Sequence, residues 1–284
     1  SARSRLWTFF FFFKTGKREE IVLASKIAGP NPGLSYIREN MDFSPTSIAL
    51  SIDKSLTRLQ TDYIDLYQLH WPERKTNFFG QRGFKVQDDA WEDNIQNVLE
   101  TLESFIKQGK INHIGLSNET PWGIMRFLEE SKYQNLPRIK TVQNPYSLLN
   151  RTFEIGSAEV CMRENVGLLA YSPMGFGVLS GKFLSGESHP NSRIKLFPQF
   201  ARYNSAQSAE ATRLYNEIAR KNSLTLTEMA LAFVNQQAFV TSTIIGATTM
   251  EQLKENIASI DVVLSDEILK EIDAVQAVIP DPAP

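Results

Sequence analysis

Several absences narrow the possibilities before any motif is read. Cysteine is almost missing: Cys161 is the only one in 284 residues. That excludes an internal disulfide framework and fits a reducing compartment. An excess of one charge is missing too, with 30 basic against 32 acidic residues and a net charge of −2. No basic field therefore calls for nucleic acid or an anionic membrane surface. No unbroken apolar run approaches the ~20 residues of a membrane helix. The expectation is a soluble, cytoplasmic chain with neither nucleic acid nor membrane as partner. Glycine patterning is also informative by what it omits, because no Gly-x-Gly-x-x-Gly follows the first apolar run, as an open dinucleotide-binding sheet would require. The late glycine-rich piece "GFGVLSGKF" (175–183) is not a Walker A loop. Phe183 stands where a Ser or Thr would bind magnesium, and no metal site is assigned.

What is present is a regular alternation. With 42% hydrophobic, 11% aromatic and 22% charged residues, the composition is that of an ordinary globular protein. The length allows one large α/β domain or two smaller ones. Six short apolar runs are expected as strands: "IVLASK" (21–26), "YIDLYQLH" (63–70), "INHIGLSN" (111–118), "TVQNPY" (141–146), "GLLAYSP" (167–173) and "TSTIIGAT" (241–248). Helical periodicity fills the intervals at 45–59, 93–110, 121–133, 154–164, 208–222 and 227–237, then at 249–260 and 265–276. Strand–helix repetition calls for a parallel sheet.

The second run shows why its end draws notice. Side chains alternate along a strand, so Ile64, Leu66, Gln68 and His70 share a face that turns polar toward its C-terminal end. The other runs finish alike, on Lys26, Ser117 with Asn118, Gln143 with Asn144, Tyr171 with Ser172, and Thr248 with Thr249. A closed barrel collects all such ends around one mouth, where barrel enzymes do their chemistry, whereas an open sheet spreads them along a line. Any single polar tip marks a strand end and nothing more; six in a row favour the barrel.

The motifs "DYIDLYQLHWP", "IGLSNET", "QNPYSLLNR", "AYSPMGFGVLSGK" and "TIIGATTMEQLKENI", with the final "PDPAP", resemble the aldo-keto reductases in their bacterial Tas-like branch. The resemblance covers roughly Lys17 to Pro284, with the motifs in family order. It implies an α/β fold, the (β/α)8 TIM barrel, binding NADP(H) across the mouth without a Rossmann domain and reducing aldehydes or ketones. The partner implied is a small-molecule carbonyl substrate.

The family works with an Asp, Tyr, Lys and His set, in which tyrosine is the acid, lysine lowers its pKa, aspartate holds the lysine and histidine orients the carbonyl. Lys26 matches the lysine and His70 the histidine, and Trp71 beside it matches the pocket wall. The physics agrees, since a lysine at the end of an apolar strand is costly unless a partner or a function holds it there. Taken alone, His70 reads more readily as a hydrogen-bonded core histidine, a preference that the setting "LYQLHWP" reverses; Tyr171 reads also as a core aromatic and Trp71 as rim packing.

Cofactor contacts follow from the same resemblance. Ser117, Asn118 and Gln143 match the residues that hold the nicotinamide carboxamide, a group that both donates and accepts. Tyr171 matches the ring stacked on the nicotinamide. Ser172, Pro173, Met174 and Gly175 begin the loop that folds over the pyrophosphate. Gly177, Leu179, Gly181 and Lys182 continue it, the glycines allowing close backbone approach. Gly246, Thr248, Gln252, Glu255 and Asn256 match the adenosine end, where Thr249 and Gln252 have capping-box spacing. No cation stands at Gln252, so NADP over NAD is a family expectation here.

The chain also departs from the family pattern. The 25 residues before Lys26 contain neither Asp nor Tyr, and six strands are counted where a barrel has eight. Both shortfalls suggest a barrel lacking its first two βα units. Residues 1–16, with the Phe9–Phe13 run, are then a divergent or artefactual segment, and 17–284 form the barrel domain. Arg3 and Arg5 faintly suggest a signal peptide, but no Ala-x-Ala-type site follows. Unpaired edges are expected at 21–25 and 243–247, an aggregation hazard. Two activities remain open: a carbonyl reductase by descent, impaired by the missing pair, and a non-catalytic NADP(H)-binding regulatory protein related to the potassium-channel β subunits.

Overall fold

Ser44, Thr120, Ser205, Thr225, Thr249 and Ser265 each stand immediately before a helical run and accept a hydrogen bond from the backbone N–H three residues on. These N-caps satisfy amides that the first turn leaves orphaned, so sequence alone marks where each helix begins. The computed structural model describes residues 17–34, 36–38, 40–79, 81–85, 90–186, 189–197 and 202–284. The Phe9–Phe13 run lies outside them.

The chain packs as two compact units. The first comprises the described residues up to Thr76 together with Phe84–Val142. It holds β1 (Ala24–Ile27), α1 (Pro45–Leu59), β2 (Ile64–Leu69), α2 (Ile95–Lys107), β3 (Ile111–Ser117) and α3 (Pro121–Tyr133). β1 pairs parallel with β2, Lys26 opposite Gln68, and β2 pairs parallel with β3, Gln68 opposite Gly115. Ile48, Ile52, Ile64, Leu99, Ile111 and Ile124 are wholly buried. They bring the apolar stripe of each helix against the strands, as parallel sheets require. A Cβ on Gly115 would stand 2.6 Å from the Thr141 hydroxyl, so this glycine is what lets the chain at 141 come alongside β3.

The short strand β4 (Thr141–Gln143) straddles the boundary. The second unit then holds α4 (Ser157–Glu164), β5 (Gly167–Ala170), α5 (Ala206–Lys221), α6 (Leu226–Asn235), β6 (Val240–Thr243), α7 (Met250–Ala258) and α8 (Asp266–Val278). β5 and β6 pair parallel. Met229–Val234 is buried almost all round, so α6 is the central core helix rather than a surface one.

Four strands differ by three or more residues at one end from the sequence expectation, β5 among them, since it stops at Ala170 within the 167–173 run. β1 begins at Ala24 because Leu23 gives its carbonyl to the Asp65 and Leu66 amides and its own amide to the Asp65 carboxylate. β4 stops at Gln143, before Pro145, which cannot donate to a ladder. β6 starts one residue before the 241–248 run and ends five residues before its end: its last ladder bond joins Ile244 to the Ala170 carbonyl. Thr248 therefore lies beyond the strand in exposed chain, and is not a strand tip.

Candidate active site

In the first unit the expected pair does converge. Lys26 sits on β1 opposite Gln68, and the His70 amide donates to the Ile27 carbonyl at 2.9 Å just past the end of β2. Gln68 is fully buried and bonds the Leu116 carbonyl at 3.4 Å, whereas His70 is only half-buried. The polarity gradient read along this face therefore runs from core to surface. The His70 ring lies 4.6 Å from that of Trp71. Trp71 is buried and its indole donates to the Pro30 carbonyl.

Two groups act on each other electrostatically here. Burial, and then the nearby Lys26 ammonium, hold the His70 imidazole down to about 4, so it is neutral at pH 7 and presents an N–H. Burial likewise lowers the Lys26 pKa. No carboxylate among the described residues forms an ion pair with Lys26, and burial is the sole cause of its shift. The cost of desolvating that ammonium is therefore left uncompensated.

Ser117 ends β3 and Asn118 follows it in left-handed backbone, φ 54°, a conformation asparagine tolerates better than most residues. The Asn118 amide donates to the His70 carbonyl at 2.8 Å and to the Ser117 hydroxyl at 3.1 Å. Behind this turn lies a pair that sequence reading left unassigned. Arg74 meets Glu119 in a buried fork, and the Glu119 carboxylate also accepts the Thr120 amide at 2.7 Å. "IGLSNET" contained Glu119, but its partner lies 45 residues away with no pattern to announce it. A partly open cavity in this unit, touching Trp71, Ser117 and Glu119, has ≈ 20 Å³, room for about one water molecule.

The second unit presents a different kind of geometry. Gln143 ends β4 half-buried. Tyr171 prolongs the parallel ladder beyond β5: its amide donates to Asn144 and its carbonyl accepts from Tyr146. The phenol is pushed up to about 12, mainly by burial and against the opposing pull of Arg202. The loop then turns repeatedly through left-handed backbone, at Ser172 (φ 56°), Gly175 (51°), Phe176 (57°), Gly177 (90°) and Gly181 (75°). Pro173 and Leu179 are buried and Met174 half-buried, so a ligand would meet this stretch through its main chain. The Lys182 ammonium folds back to within 3.4 Å of where a Cβ on Gly177 would stand. The amides of Gly175, Gly177, Leu179 and Gly181 already donate to carbonyls of the same loop, so the Lys182 ammonium is the donor this stretch offers a pyrophosphate most directly.

The last group is the least committed. Gly246, Thr248 and Gln252 are exposed. Gln252 accepts from both the amide and the hydroxyl of Thr248, while Thr249 caps the Gln252 amide. The capping box is thus displaced by one residue, and two donors at the helix start are already used. Asn256 is buried and donates to the Gly246 carbonyl at 3.3 Å; Glu255 accepts from Thr225 at 3.0 Å. Both side chains tie α7 to its own unit.

Among the described residues no helix is long and apolar enough to cross a membrane, and no cluster of three or more His, Cys, Asp or Glu could hold a metal.

Parallel strands alternating with helices, with charged and amide side chains at strand ends, define an α/β protein. Comparison with known proteins makes the class specific. The model of the Aldo/keto reductase family matches residues 9–277. Protein tas of Escherichia coli is 48% identical over 272 residues, 95% of this chain and 79% of that protein. An aldo-keto reductase of Babesia bovis is 38% identical over 84% of this chain and 88% of its own. The Schizosaccharomyces pombe aldo-keto reductase yakc [NADP(+)] is 29% identical over 92% and 71% respectively. The chain belongs to the aldo-keto reductase family, in its Tas-like branch, and its strand–helix alternation is of that family's barrel type.

Proposed function

We propose that this chain binds NADP(H) and acts on small aldehydes and ketones, with Lys26 and His70 at the reacting carbonyl. What carries the reading is that pair: a neutral imidazole and a desolvated ammonium brought to adjacent strand ends. Hydride addition leaves an alkoxide that needs stabilising charge and a proton. His70 donates its N–H to the carbonyl oxygen and orients it; the Lys26 ammonium stabilises the charge that develops there. The nicotinamide, when bound, supplies the hydride. Ser117, Asn118 and Gln143 would hold its carboxamide, Tyr171 its ring, and the 172–182 loop with Lys182 the pyrophosphate. Preference for NADP over NAD rests on the resemblance and on the name of the fission-yeast relative, since the chain at 246–256 offers a phosphate few uncommitted donors. For location the reading stays with the cytoplasm.

Turnover is expected to be weak, because no carboxylate among the described residues pairs with Lys26. Titrating the chain with NADPH and with NADH by fluorescence, then adding 4-nitrobenzaldehyde, tests this. Tighter NADPH binding with slow oxidation, abolished in Lys26→Met, is the expected result. Binding with no oxidation at any aldehyde concentration would favour the non-catalytic regulatory reading. Absence of binding to either nucleotide would reject both.

A further inference from the structure

The stretch from His70 to Arg74 follows β2 with no helix or strand of its own, so side chains decide its course. Glu73 reaches one way: its carboxylate accepts the Phe43 amide at 2.9 Å and the Asn94 side-chain amide at 2.8 Å. Arg74 reaches another: beyond its fork with Glu119, it donates to the Thr120 hydroxyl at 3.0 Å. Two adjacent residues thus join the turn that carries His70 to the chain after β1, to the start of α2 and to the turn that carries Asn118.

Neighbouring elements give way to these contacts. Asn94 stands at the N-cap of α2, yet its side chain makes no cap bond there and goes to Glu73 instead. A helix start ordinarily draws stability from such a cap. Gly123 lies in the first turn of α3, where a Cβ would overlap the Glu119 carboxylate and stand 2.5 Å from the Arg74 guanidinium. Glycine there lowers helix stability relative to alanine. Both helices forgo a local gain where the two side chains pass.

A buried ion pair is poor evidence of stability, because apolar side chains of like volume serve a core as well. What a bidentate arginine–carboxylate fork adds is direction. The Asn118 amide already joins the same two turns at the His70 carbonyl, at 2.8 Å. One link fixes a separation; two fix an angle as well. We propose that Arg74 and Glu119 are positioning residues for His70 and Asn118, the fork setting the turn after β2 against the turn after β3 while Glu73 braces the former against the start of α2. This rests on the function proposed above, in which His70 orients the carbonyl and Asn118 holds the carboxamide.

The test uses the full chain with Gly123→Ala, the double variant Arg74→Met/Glu119→Gln and, as control, Gly109→Ala. Alanine at 123 pushes the fork aside with both charges kept. The double variant removes both charges, leaves no unpaired buried ion and keeps an acceptor for the Thr120 amide. Gly109→Ala strains a turn with open space around it. Both fork variants should lower kcat with 4-nitrobenzaldehyde about tenfold and weaken NADPH by a similar factor. Binding of 2′,5′-ADP, which lacks the nicotinamide end, should stay as in the parent. By NMR of the histidine-labelled chain, His70 should titrate nearer 6.5 than the parent's value of about 4, as a ring no longer held in place gains solvent. Gly109→Ala should alter none of these readouts. An unchanged His70 titration in the fork variants, the same change in Gly109→Ala, or equal losses for both nucleotides would overturn the proposal. Should the double variant fail to fold, Gly123→Ala decides. Should the parent neither bind NADPH nor turn over, the functional reading falls separately. The His70 titration then judges the fork: a pKa raised in Gly123→Ala but not in Gly109→Ala upholds it, and an unchanged one refutes it.

Discussion

The two units carry their candidate residues in opposite ways. In the first, the candidates are side chains at strand ends, Lys26, His70, Ser117 and Asn118, and the buried Arg74–Glu119 fork stands beside the turn at Ser117 and Asn118. In the second, the backbone itself is shaped, with five left-handed residues between Ser172 and Gly181, and the side chains of Pro173 and Leu179 face inward. Side-chain chemistry suits a reaction at one carbonyl atom; shaped main chain suits a long, flexible nucleotide. The contrast makes a prediction of its own: truncating side chains should damage the first unit, and adding Cβ atoms should damage the second.

The largest effect expected is at the fork. Glu119→Ala leaves Arg74 buried without its counter-charge, the side chains being 3% and 11% exposed, and removes an acceptor from the Thr120 amide. Urea unfolding should show a loss of about 3–5 kcal/mol. Breaking the exposed Arg213–Glu217 pair of the second unit should cost far less, because solvent screens it. Equal losses at both places would erase the distinction between the units.

Next in size is the titration of His70. Its folded pKa, about 4, lies below the ordinary 6.5, so the unfolded chain takes up the proton first. The stability tied to this group is intact above pH 6.5 and drains as pH falls toward 4, by at most about 3 kcal/mol. Urea midpoints between pH 7 and 4.5 should therefore fall more steeply in the parent than in His70→Asn. Lys26→Met removes the neighbouring ammonium, so it should raise the His70 pKa and flatten the slope part of the way. It should also stabilise the protein at pH 7, because the Lys26 pKa is depressed by burial with nothing to offset it. A Lys26→Met chain less stable than the parent would mean a carboxylate does hold that lysine.

Much of the first unit was legible in sequence, and for a definite reason. Helices 45–59 and 121–133 follow their caps, Ser44 and Thr120, to the residue, and strand parity placed Gln68 and His70 on one face with the correct gradient. Local rules govern both. The second unit was harder to read: Thr248 looked like a strand tip because "TSTIIGAT" is rich in β-branched residues, yet the ladder ends where Ile244 meets Ala170. The Arg74–Glu119 fork and the contacts of residues 281–284 with 149–151 were not legible at all. Their partners lie 45 to 134 residues apart, from Arg74–Glu119 to Leu149–Ala283, and no periodicity in the intervening chain encodes such a meeting.

For the shaped main chain, Gly177→Ala is the direct probe. An added Cβ would meet only the Lys182 ammonium, at ordinary contact distance, so space is not the issue. At φ 90° the strain of an L-residue should cost about 1–2 kcal/mol, visible in thermal unfolding. It should also weaken NADPH binding if the loop amides serve the pyrophosphate. Gly109→Ala, at φ 72° with open space around it, carries the same strain in the first unit, away from every candidate residue, and should cost stability without touching binding.

The smallest expected effect lies at α7, where the distinction between the units is weakest. Thr249 caps the Gln252 amide with its hydroxyl, and Gln252 returns the contact to Thr248 rather than to the cap itself. Thr249→Ala therefore removes one cap bond while the Thr248–Gln252 bond survives, and the loss should be about 1 kcal/mol or less, with Thr249→Ser nearly neutral. If the freed amide then receives a phosphate, Thr249→Ala should narrow its stability deficit when 2′,5′-ADP is added, because a ligand bound only to the folded state returns stability by mass action. A deficit that stays constant with and without 2′,5′-ADP would make this helix start a plain structural cap, and would leave the 172–182 loop and Lys182 to account for nucleotide binding by the second unit.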